Sequence, residues 1–255
     1  MDRSRTALTR GQLIAEVLLV LGLSLGRSGV FSIVNFLVDL TSGVPLAQQT
    51  TTLNPSASPR PGVDLTIQLL RIGFALVIVG LVAYLLNRSG ESLRTLGVDA
   101  SQPGRDLGRG ILLTLLVGAT GLVWYLIAHR AGINLTVAAQ GLPDLWWRTP
   151  VLVLGALENA VVEEVVVLGF VLHRLRQLGW AWGPAIWTSA LIRGSYHLYQ
   201  GVGGFVGNVV MGLLFGWLFK RWGRVMPMIV AHALIDSVAF IGYALLAGKV
   251  SWLPG

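Results

Sequence analysis

The stretch Thr149–Leu172 reads TPVLVLGALENAVVEEVVVLGFVL. It is longer than the roughly 20 apolar residues that a helix needs to cross a bilayer. Yet Glu163 and Glu164 stand side by side in its middle. A carboxylate at the centre of a bilayer costs about 2.5–3.5 kcal/mol unless it is paired or faces water. We therefore expect the two glutamates to face the interior of a helical membrane protein and to mark its functional site.

The composition of the whole chain agrees with a membrane protein. Of its 255 residues, 54% are hydrophobic and 12% are charged, and the mean hydropathy is +0.69. A soluble domain carries about 25% charged residues. The sequence contains no cysteine, which excludes disulfides and cysteine-ligated zinc sites.

Seven segments are apolar enough to be interpreted as transmembrane spans, so the sequence predicts an all-α, polytopic helical bundle. The spans are roughly Leu13–Leu40, Leu65–Leu86, Ile111–Ala128, Pro150–Leu172, Gly183–Leu198, Gly203–Phe219 and Met226–Leu246. The first is the longest, and we expect it to tilt or to break near Gly26 and Gly29. Glycines 203, 207, 212 and 216 of the sixth span predict the close approach of a neighbouring helix.

The positive charges are distributed as expected for a membrane protein. With the amino terminus in the cytoplasm, most Lys and Arg outside the spans, including Arg174 and Arg224, fall on the cytoplasmic side. The net charge of +7 therefore reflects topology, and we predict no nucleic-acid partner. We expect an integral protein of a bacterial plasma membrane, with the lipid bilayer as one partner and a cytoplasmic amino terminus.

Two later spans each carry a histidine four residues away from a charged residue. Arg193 precedes His197, and His232 precedes Asp236. Residues four apart share one face of a helix, so both pairs are expected to point into the same interior cavity as the glutamates. Arg193 is the natural counter-ion for those glutamates. Asp236 can orient His232 and fix its tautomer.

The chemistry of these groups favours catalysis over a purely structural role. Successive residues of a helix point about 100° apart. One glutamate is therefore expected to line a cavity while its neighbour bonds another helix. A buried carboxylate can act as a general base for water, and a histidine can hold that water or pass a proton. Each residue alone could be a structural pair, but the combination favours a catalytic site.

A metal site is one alternative for the same residues. Glu163, His197 and His232 would be an adequate three-ligand set for catalytic zinc, with water in the fourth position. The chain has no H-E-x-x-H helix, so the spacing gives no direct support for zinc. In a metal-free mechanism, a glutamate and His197 would activate water and His232 would stabilise the oxyanion. Zinc as a cofactor therefore stays open.

The order and spacing of these residues resemble the CAAX-protease and bacteriocin-processing (CPBP/Abi) family of intramembrane proteases. The pattern of that family is E-E-x-x-x-R, then F-x-x-x-H, then H-x-x-x-N/D in successive transmembrane helices. The matching residues are Glu163, Glu164, His197, His232 and Asp236. The resemblance covers about Pro150–Phe240. It implies an intramembrane endopeptidase that hydrolyses a peptide bond in a membrane-associated protein or peptide.

The resemblance also implies roles for the matching residues. The two glutamates would supply the water-activating carboxylate, and His197 would assist. His232 and Asp236 would form a second polar pair facing the scissile carbonyl. The family is often labelled metallopeptidase, although a metal-free glutamate mechanism is also proposed for it, and we favour the metal-free form. The chain then divides into amino-terminal helices and loops (1–149), a protease-like core (150–246) and a tail (247–255).

Two positions depart from the family pattern. Leu168 occupies the position of the motif arginine, and Arg193 occupies that of the motif phenylalanine. Our hypothesis is that the charge has moved, so that Arg193 pairs with the glutamates from the neighbouring helix. Asp236 stands where an asparagine is common. Because an ionised aspartate would repel an oxyanion, we expect Asp236 to orient His232 or to be protonated.

Two functions from other classes compete with the protease. Buried Glu, His, Asp and Arg also form the proton relays of transporters, although the chain shows no inverted repeat. A catalytically silent binding or immunity protein could keep the fold and sequester a membrane peptide, and Leu168 is its best support. Flux measurements in liposomes identify a transporter. Loss of function without loss of folding on replacing the glutamates separates a protease from a silent protein.

Overall fold

The computed structural model describes residues 8–250 and is helical through most of that range. The helices are α1 (Arg10–Leu23), α2 (Leu25–Thr41), α3 (Pro61–Arg88), α4 (Pro103–Arg130), α5 (Arg148–Glu163), α6 (Leu172–Gln177), α7 (Trp182–Ser195), α8 (Val202–Trp222) and α9 (Met226–Leu246). A π-helix, Glu164–Val171, joins α5 to α6, and 3-10 helices cover Leu46–Gln48, Leu93–Leu96 and Leu198–Gln200. The strands are β1 (Thr50–Thr52) and β2 (Thr136–Ala138). The predicted helical class is confirmed, with two short strands added.

The number of spans is smaller than predicted. Within residues 8–250, four helices are long and apolar enough to cross a membrane, namely α3, α4, α8 and α9. A fifth span results if α1 and α2, which meet at a bend of 52°, are counted together. The seven predicted spans are not confirmed, because the fourth is divided among α5, the π-helix and α6. The fifth corresponds to α7, whose 14 residues extend about 21 Å at 1.5 Å per residue, against about 30 Å of hydrocarbon.

The break in the first hydrophobic segment lies at Ser24, two residues before Gly26 and thus near the predicted position. Ser24 has φ −136° and ψ −122°, which is outside the helical region. Its hydroxyl donates a hydrogen bond to the carbonyl oxygen of Val20. Serine side chains that bond the backbone in this way compete with the regular helix. Gly26 permits the bend, because a Cβ atom there would lie 2.8 Å from the carbonyl oxygen of Leu21.

A parallel two-stranded sheet lies at one end of the bundle, which we call the sheet end. Residues 50–52 of β1 pair in register with residues 136–138 of β2. Because β1 precedes α3 and β2 precedes α5, the sheet fixes the beginnings of these two helices relative to each other. Three-residue strands in polar loops carry no alternating pattern long enough to be predicted. The sequence accordingly predicted helices alone.

Helices α7 and α8 pack closely because glycines of α8 face α7. A Cβ atom on Gly212 would lie 2.9 Å from Cα of Ala190, and one on Gly216 would lie 2.7 Å from Cγ2 of Ile186. The other two glycines of the predicted set approach α4 instead. The predicted close packing is confirmed. It holds α7, and with it Arg193, against α8.

The opposite end of the bundle, the basic end, is held together by Arg174. Its side chain is fully buried, although the sequence placed it among the loop cations. Nη2 lies 2.9 Å from Oε2 of Glu16 on α1, and Nη1 lies 2.8 Å from Oε2 of Glu91. Glu91 also contacts Nε2 of His173 at 2.6 Å. One guanidinium group thus connects α1, α6 and the chain that follows α3.

A second arginine fixes the turn between α8 and α9 at the basic end. Nη2 of Arg224 donates to Asp106 Oδ2 at 2.7 Å and to Asp99 Oδ1 at 3.1 Å. Hydrogen bonds from Ser101 and Arg224 hold the pKa of Asp99 well below its ordinary value. The same carboxylates raise the pKa of Arg224, with Asp106 contributing most. Asp99 and Arg224 therefore stay charged at neutral pH, and their contacts with Asp106 tie the turn to the beginning of α4.

The first prediction concerns the stability supplied by Arg174. Arg174→Met leaves the buried Glu16 and the partly buried Glu91 without their guanidinium partner, which is expected to lower the free energy of unfolding by about 3–5 kcal/mol. Thermal unfolding in detergent measures the loss. Arg94→Met is the matched control, because Arg94 is exposed. Equal midpoints for the two variants would contradict a structural role for Arg174.

Candidate active site

The adjacent carboxylates lie where the α-helix changes into the π-helix. Glu163 is the last residue of α5, and Glu164 is the first of the π-helix. The i→i+5 hydrogen bonds of a π-helix enclose more residues per turn than the 3.6 of an α-helix. Successive side chains therefore diverge by less than 100°, and Arg193 on α7 approaches both carboxylates. Every residue of this π-helix is buried, and π-helical turns are frequent at functional sites.

Glu164 forms a buried ion cluster with residues of two other helices. Its side chain is 0% exposed. Nη2 of Arg193 donates to Oε1 of Glu164, and Nδ1 of His232 lies 2.8 Å from the same oxygen. The Arg193 guanidinium also lies 5.6 Å from the ring centre of Phe215, within the range of a cation–π contact. Glu164 is thus the carboxylate that bonds neighbouring helices.

Glu163 has a different environment, although it is only one residue away. It is 8% exposed, and its Oε2 accepts a hydrogen bond from the hydroxyl of Tyr196 at 2.9 Å. Nη1 of Arg193 and Nε2 of His197 lie 3.7 and 3.6 Å from this oxygen, beyond hydrogen-bond length. Within residues 8–250, Nε2 of His197 is buried and has no hydrogen-bond partner. A carboxylate and an imidazole therefore face each other across a separation that a proton carrier can bridge.

His197 reaches this position from a turn, and not from a helix. Helix α7 ends at Ser195, and His197 has φ −104° and ψ 0°, in the bridge region of backbone conformation. The chain continues through Gly201 with φ +109°, where a Cβ atom would lie 2.6 Å from the carbonyl oxygen of Ile133. Only glycine tolerates that contact at that φ. The prediction that Arg193 and His197 share a helix face is wrong, yet both approach the same oxygen of Glu163.

The His232 and Asp236 pair is also arranged differently from the expectation. Nε2 of His232 lies 3.6 Å from Oδ2 of Asp236, whereas its Nδ1 is hydrogen-bonded to Glu164. Glu164, and not Asp236, therefore orients the imidazole. Oδ2 of Asp236 instead accepts a hydrogen bond of 3.4 Å from Nδ2 of Asn159 on α5. Nε2 of His232 is the ring nitrogen that remains for a substrate.

The sequence analysis did not single out two polar side chains that belong to the site. Tyr196 donates to Glu163, and Asn159 donates to Asp236. Asn159 could have been identified by its spacing, because it lies four residues before Glu163 and shares its helix face. No comparable spacing marks Tyr196, since it lies beyond the end of α7. Gln200 adds a contact of 3.4 Å between its Nε2 and Nδ1 of His197.

The part of the chain that carries these groups matches a known family. The matching description is type II CAAX prenyl endopeptidase Rce1-like, and the match covers residues 145–238. This segment is Rce1-like. The resemblance to the CPBP/Abi proteases that the motifs indicated is thereby confirmed. No curated protein and no solved structure matches the chain.

The two departures from the family motifs lie close together in the Rce1-like segment. Leu168 is 2% exposed and belongs to the hydrophobic core, one π-helical turn beyond Glu164. Arg193 occupies the position next to Glu164 from α7. A guanidinium at position 168 would approach Glu164 along its own helix, because the two positions are four residues apart. In this chain the cation reaches the same carboxylate from the neighbouring helix, as the sequence hypothesis required.

Glu163, His197 and His232 of the Rce1-like segment are not arranged as the three ligands of a zinc ion. Zinc ligands lie about 2.0–2.2 Å from the ion, so two ligands of one ion are less than about 4.4 Å apart. Glu163 and His197 satisfy this condition, but His232 is hydrogen-bonded to Glu164 instead of converging with them. Across residues 8–250, no three His, Asp or Glu side chains are grouped so that they could hold a metal ion. We therefore derive no catalytic step through a metal.

The second prediction concerns the buried pair of Arg193 and Glu164. Arg193→Leu leaves a fully buried carboxylate with one partner fewer, and we expect the free energy of unfolding to fall by about 3–5 kcal/mol. Adding Glu164→Gln removes the uncompensated charge and should restore part of the loss. We would measure chemical unfolding in detergent for the wild type, both single variants and the double variant. These four free energies give the interaction energy between Arg193 and Glu164. Strictly additive losses would show that the two side chains do not stabilise each other.

Proposed function

We propose that the protein is an intramembrane endopeptidase that hydrolyses a peptide bond in a membrane-associated protein or peptide. One observation carries the proposal: the Rce1-like match of residues 145–238 includes every charged group of the candidate site. Those groups are Glu163, Glu164, Arg193, His197, His232 and Asp236. The substrate class is a CAAX-type carboxy-terminal tail or a peptide that is matured by cleavage.

In this proposal Glu163 is the general base and Glu164 is structural. Glu164 is sealed from solvent by Arg193 and His232, so a water molecule cannot reach it without breaking that cluster. Glu163 retains some exposure and faces an imidazole nitrogen without a partner among residues 8–250. A water molecule between Glu163 and His197 would be held by both groups and lose a proton to the carboxylate.

The remaining groups then act on the substrate. The hydroxide that forms adds to the carbonyl carbon, and the negative charge develops on the carbonyl oxygen. His232 is proposed to act in its doubly protonated form: Nδ1–H is donated to Glu164, and Nε2–H is donated to the oxyanion. The proton taken by Glu163 passes to the leaving amine as the carbon–nitrogen bond breaks. Asp236, bonded to Asn159, keeps its place beside His232.

We also propose an orientation in the membrane. The basic end carries the exposed or partly exposed cations Arg88, Arg94, Arg105, Arg109, Arg176, Lys220 and Arg221. By the positive-inside rule this end faces the cytoplasm of a bacterial plasma membrane, with the amino terminus on the same side. The sheet end then faces the opposite compartment.

The third prediction tests the assignment of the base. Glu163→Gln keeps the shape of the side chain but removes the proton acceptor, and kcat should fall by about 10²–10⁴-fold. The measurement is cleavage of a library of membrane-anchored peptides by protein in lipid vesicles, with thermal unfolding in parallel. Asp144→Asn is the matched control, because the Asp144 side chain is 86% exposed and pairs only with Arg148 among the described residues.

The contrary outcomes of this test are distinct. Cleavage by Glu163→Gln at the wild-type rate would remove Glu163 from the mechanism. A folded wild type that cleaves no peptide would favour the silent binding or immunity protein. Leu168, in place of the motif arginine, is the feature of this chain that such a result would explain.

The fourth prediction concerns metal dependence. Because His232 is committed to Glu164, we expect the purified protein to hold less than one zinc ion per chain and to keep its cleavage activity after chelation. Metal content is measured by mass spectrometry, and cleavage is measured with and without a chelator. Together the two measurements show whether activity needs a metal ion. Stoichiometric zinc that disappears in both His197→Ala and His232→Ala would establish Glu163, His197 and His232 as its ligands instead.

A further inference from the structure

The side-chain amide of Asn159 on α5 belongs both to the candidate active site and to the lining of a cavity. The cavity has a volume of about 240 Å³ and lies between α3 and α5 at the sheet end. Its other polar lining residues are Asn54, Gln68, Arg71 and Glu158. Asn159 is half-buried, and its Nδ2 donates a hydrogen bond to Oδ2 of Asp236 on α9. The amide is therefore tied to α9 and is still accessible to a ligand.

Two nitrogen donors approach the same oxygen atom of Asp236. Its Oδ2 lies 3.4 Å from Nδ2 of Asn159 and 3.6 Å from Nε2 of His232. Both distances exceed the separation of about 2.7–3.1 Å between an oxyanion and its donors, but catalytic hydrogen bonds are often elongated in the absence of substrate. The position of Oδ2 shows that an amide of α5 and an imidazole of α9 can approach one oxygen atom together.

The hydrogen bond to Asp236 uses only one of the two hydrogens on Nδ2 of Asn159. A side-chain amide nitrogen carries two hydrogens, whereas an ionised carboxylate can only accept. The contact therefore orients the amide with its nitrogen toward Asp236 and leaves the second N–H available. Among residues 8–250, no other acceptor is bonded to this nitrogen. Asn159 thus retains a donor whose direction is fixed by a neighbouring helix.

Asn159 also lies close to the carboxylate proposed as the base. It stands four residues before Glu163 on α5, so the two side chains share one helix face. A carbonyl carbon attacked by water from Glu163 carries its oxygen only about 1.2 Å away, so the donors to that oxygen must lie near the base. Tyr196 and Arg193 already donate to the glutamates. Asn159 and His232 are the neighbours that keep a hydrogen for the substrate.

We propose that Asn159 is a second donor to the oxyanion, together with Nε2–H of His232. Its free N–H forms a hydrogen bond with the carbonyl oxygen as negative charge develops there. Asp236 is then a positioning residue, because it accepts from the same amide and holds it in place. Position 159 lies outside the motifs that the family resemblance rests on. This inference rests on the proposed function and adds a catalytic residue to it.

Asn159→Leu tests the proposal, because leucine is close to asparagine in size but has no donor. The kcat for cleavage of a membrane-anchored peptide should fall by about 10²–10³-fold, as it does when other oxyanion donors are removed. KM should keep its wild-type value, because the lost interaction forms only in the transition state. Thermal unfolding is measured in parallel, and Asn159→Ala is used if the leucine variant does not fold. Asn87→Leu is the matched control, because Asn87 is exposed near the end of α3 at the basic end.

A peptide with a phosphinate group in place of one peptide bond separates this inference from the proposed function. The phosphinate is tetrahedral and negatively charged like the oxyanion, so its affinity reports the donors without any cleavage. The phosphinate and the parent peptide are titrated into Glu163→Gln protein in lipid vesicles, with and without Asn159→Leu. We expect Asn159→Leu to weaken phosphinate binding by about 10²-fold or more and to leave binding of the parent peptide unchanged.

The outcomes of the two assays differ for the two proposals. Weaker binding of the phosphinate alone supports the donor, even if the wild type cleaves no peptide. A wild-type kcat in Asn159→Leu overturns the donor and leaves the protease standing. Equal weakening of both ligands, or of neither, also overturns the donor and leaves Asn159 as a contact between α5 and α9. A protein that binds neither ligand and cleaves nothing overturns both proposals.

Discussion

The arrangement of the site depends on the burial of one carboxylate, that of Glu164. A charge removed from water needs compensation of the same order as its lost hydration. Here the compensation comes from Arg193 on α7 and His232 on α9, which meet a single oxygen of Glu164. Three separate elements must therefore keep one register relative to each other. Small shifts of α7 or α9 would leave the charge unpaired, so the same interaction that stabilises the bundle also positions His232.

Two adjacent glutamates can have different roles because their environments differ sharply within one residue. Glu164 is fully enclosed, whereas Glu163 is 8% exposed and approaches Tyr196 and His197. The change from α-helix to π-helix occurs between them. Arg193 contacts both carboxylates and so links the enclosed one to the one that we propose as the base.

The helical class could be predicted from the sequence, and so could the charged residues of the candidate site. Charged residues are rare in apolar spans, and those present are expected to meet at one interior site. The sequence was also sufficient for Arg193 as counter-ion, since no other cation lies at comparable depth in the later spans. It could not predict the π-helix, because a valine-rich run buried on all sides has no periodicity to distinguish two kinds of helix. Nor could it predict the turn at His197. That turn depends on the contact of Gly201 with Ile133, which is distant in sequence.

The two ends of the bundle differ in how their arginines are neutralised. At the basic end, Arg174 and Arg224 are buried and each meets two carboxylates, so those contacts seal the structure. At the sheet end, Arg71 lines a cavity, is exposed and acts electrostatically on the buried Asp64. The basic end is therefore closed by compensated charges, whereas the polar cavity that borders α5 lies at the sheet end.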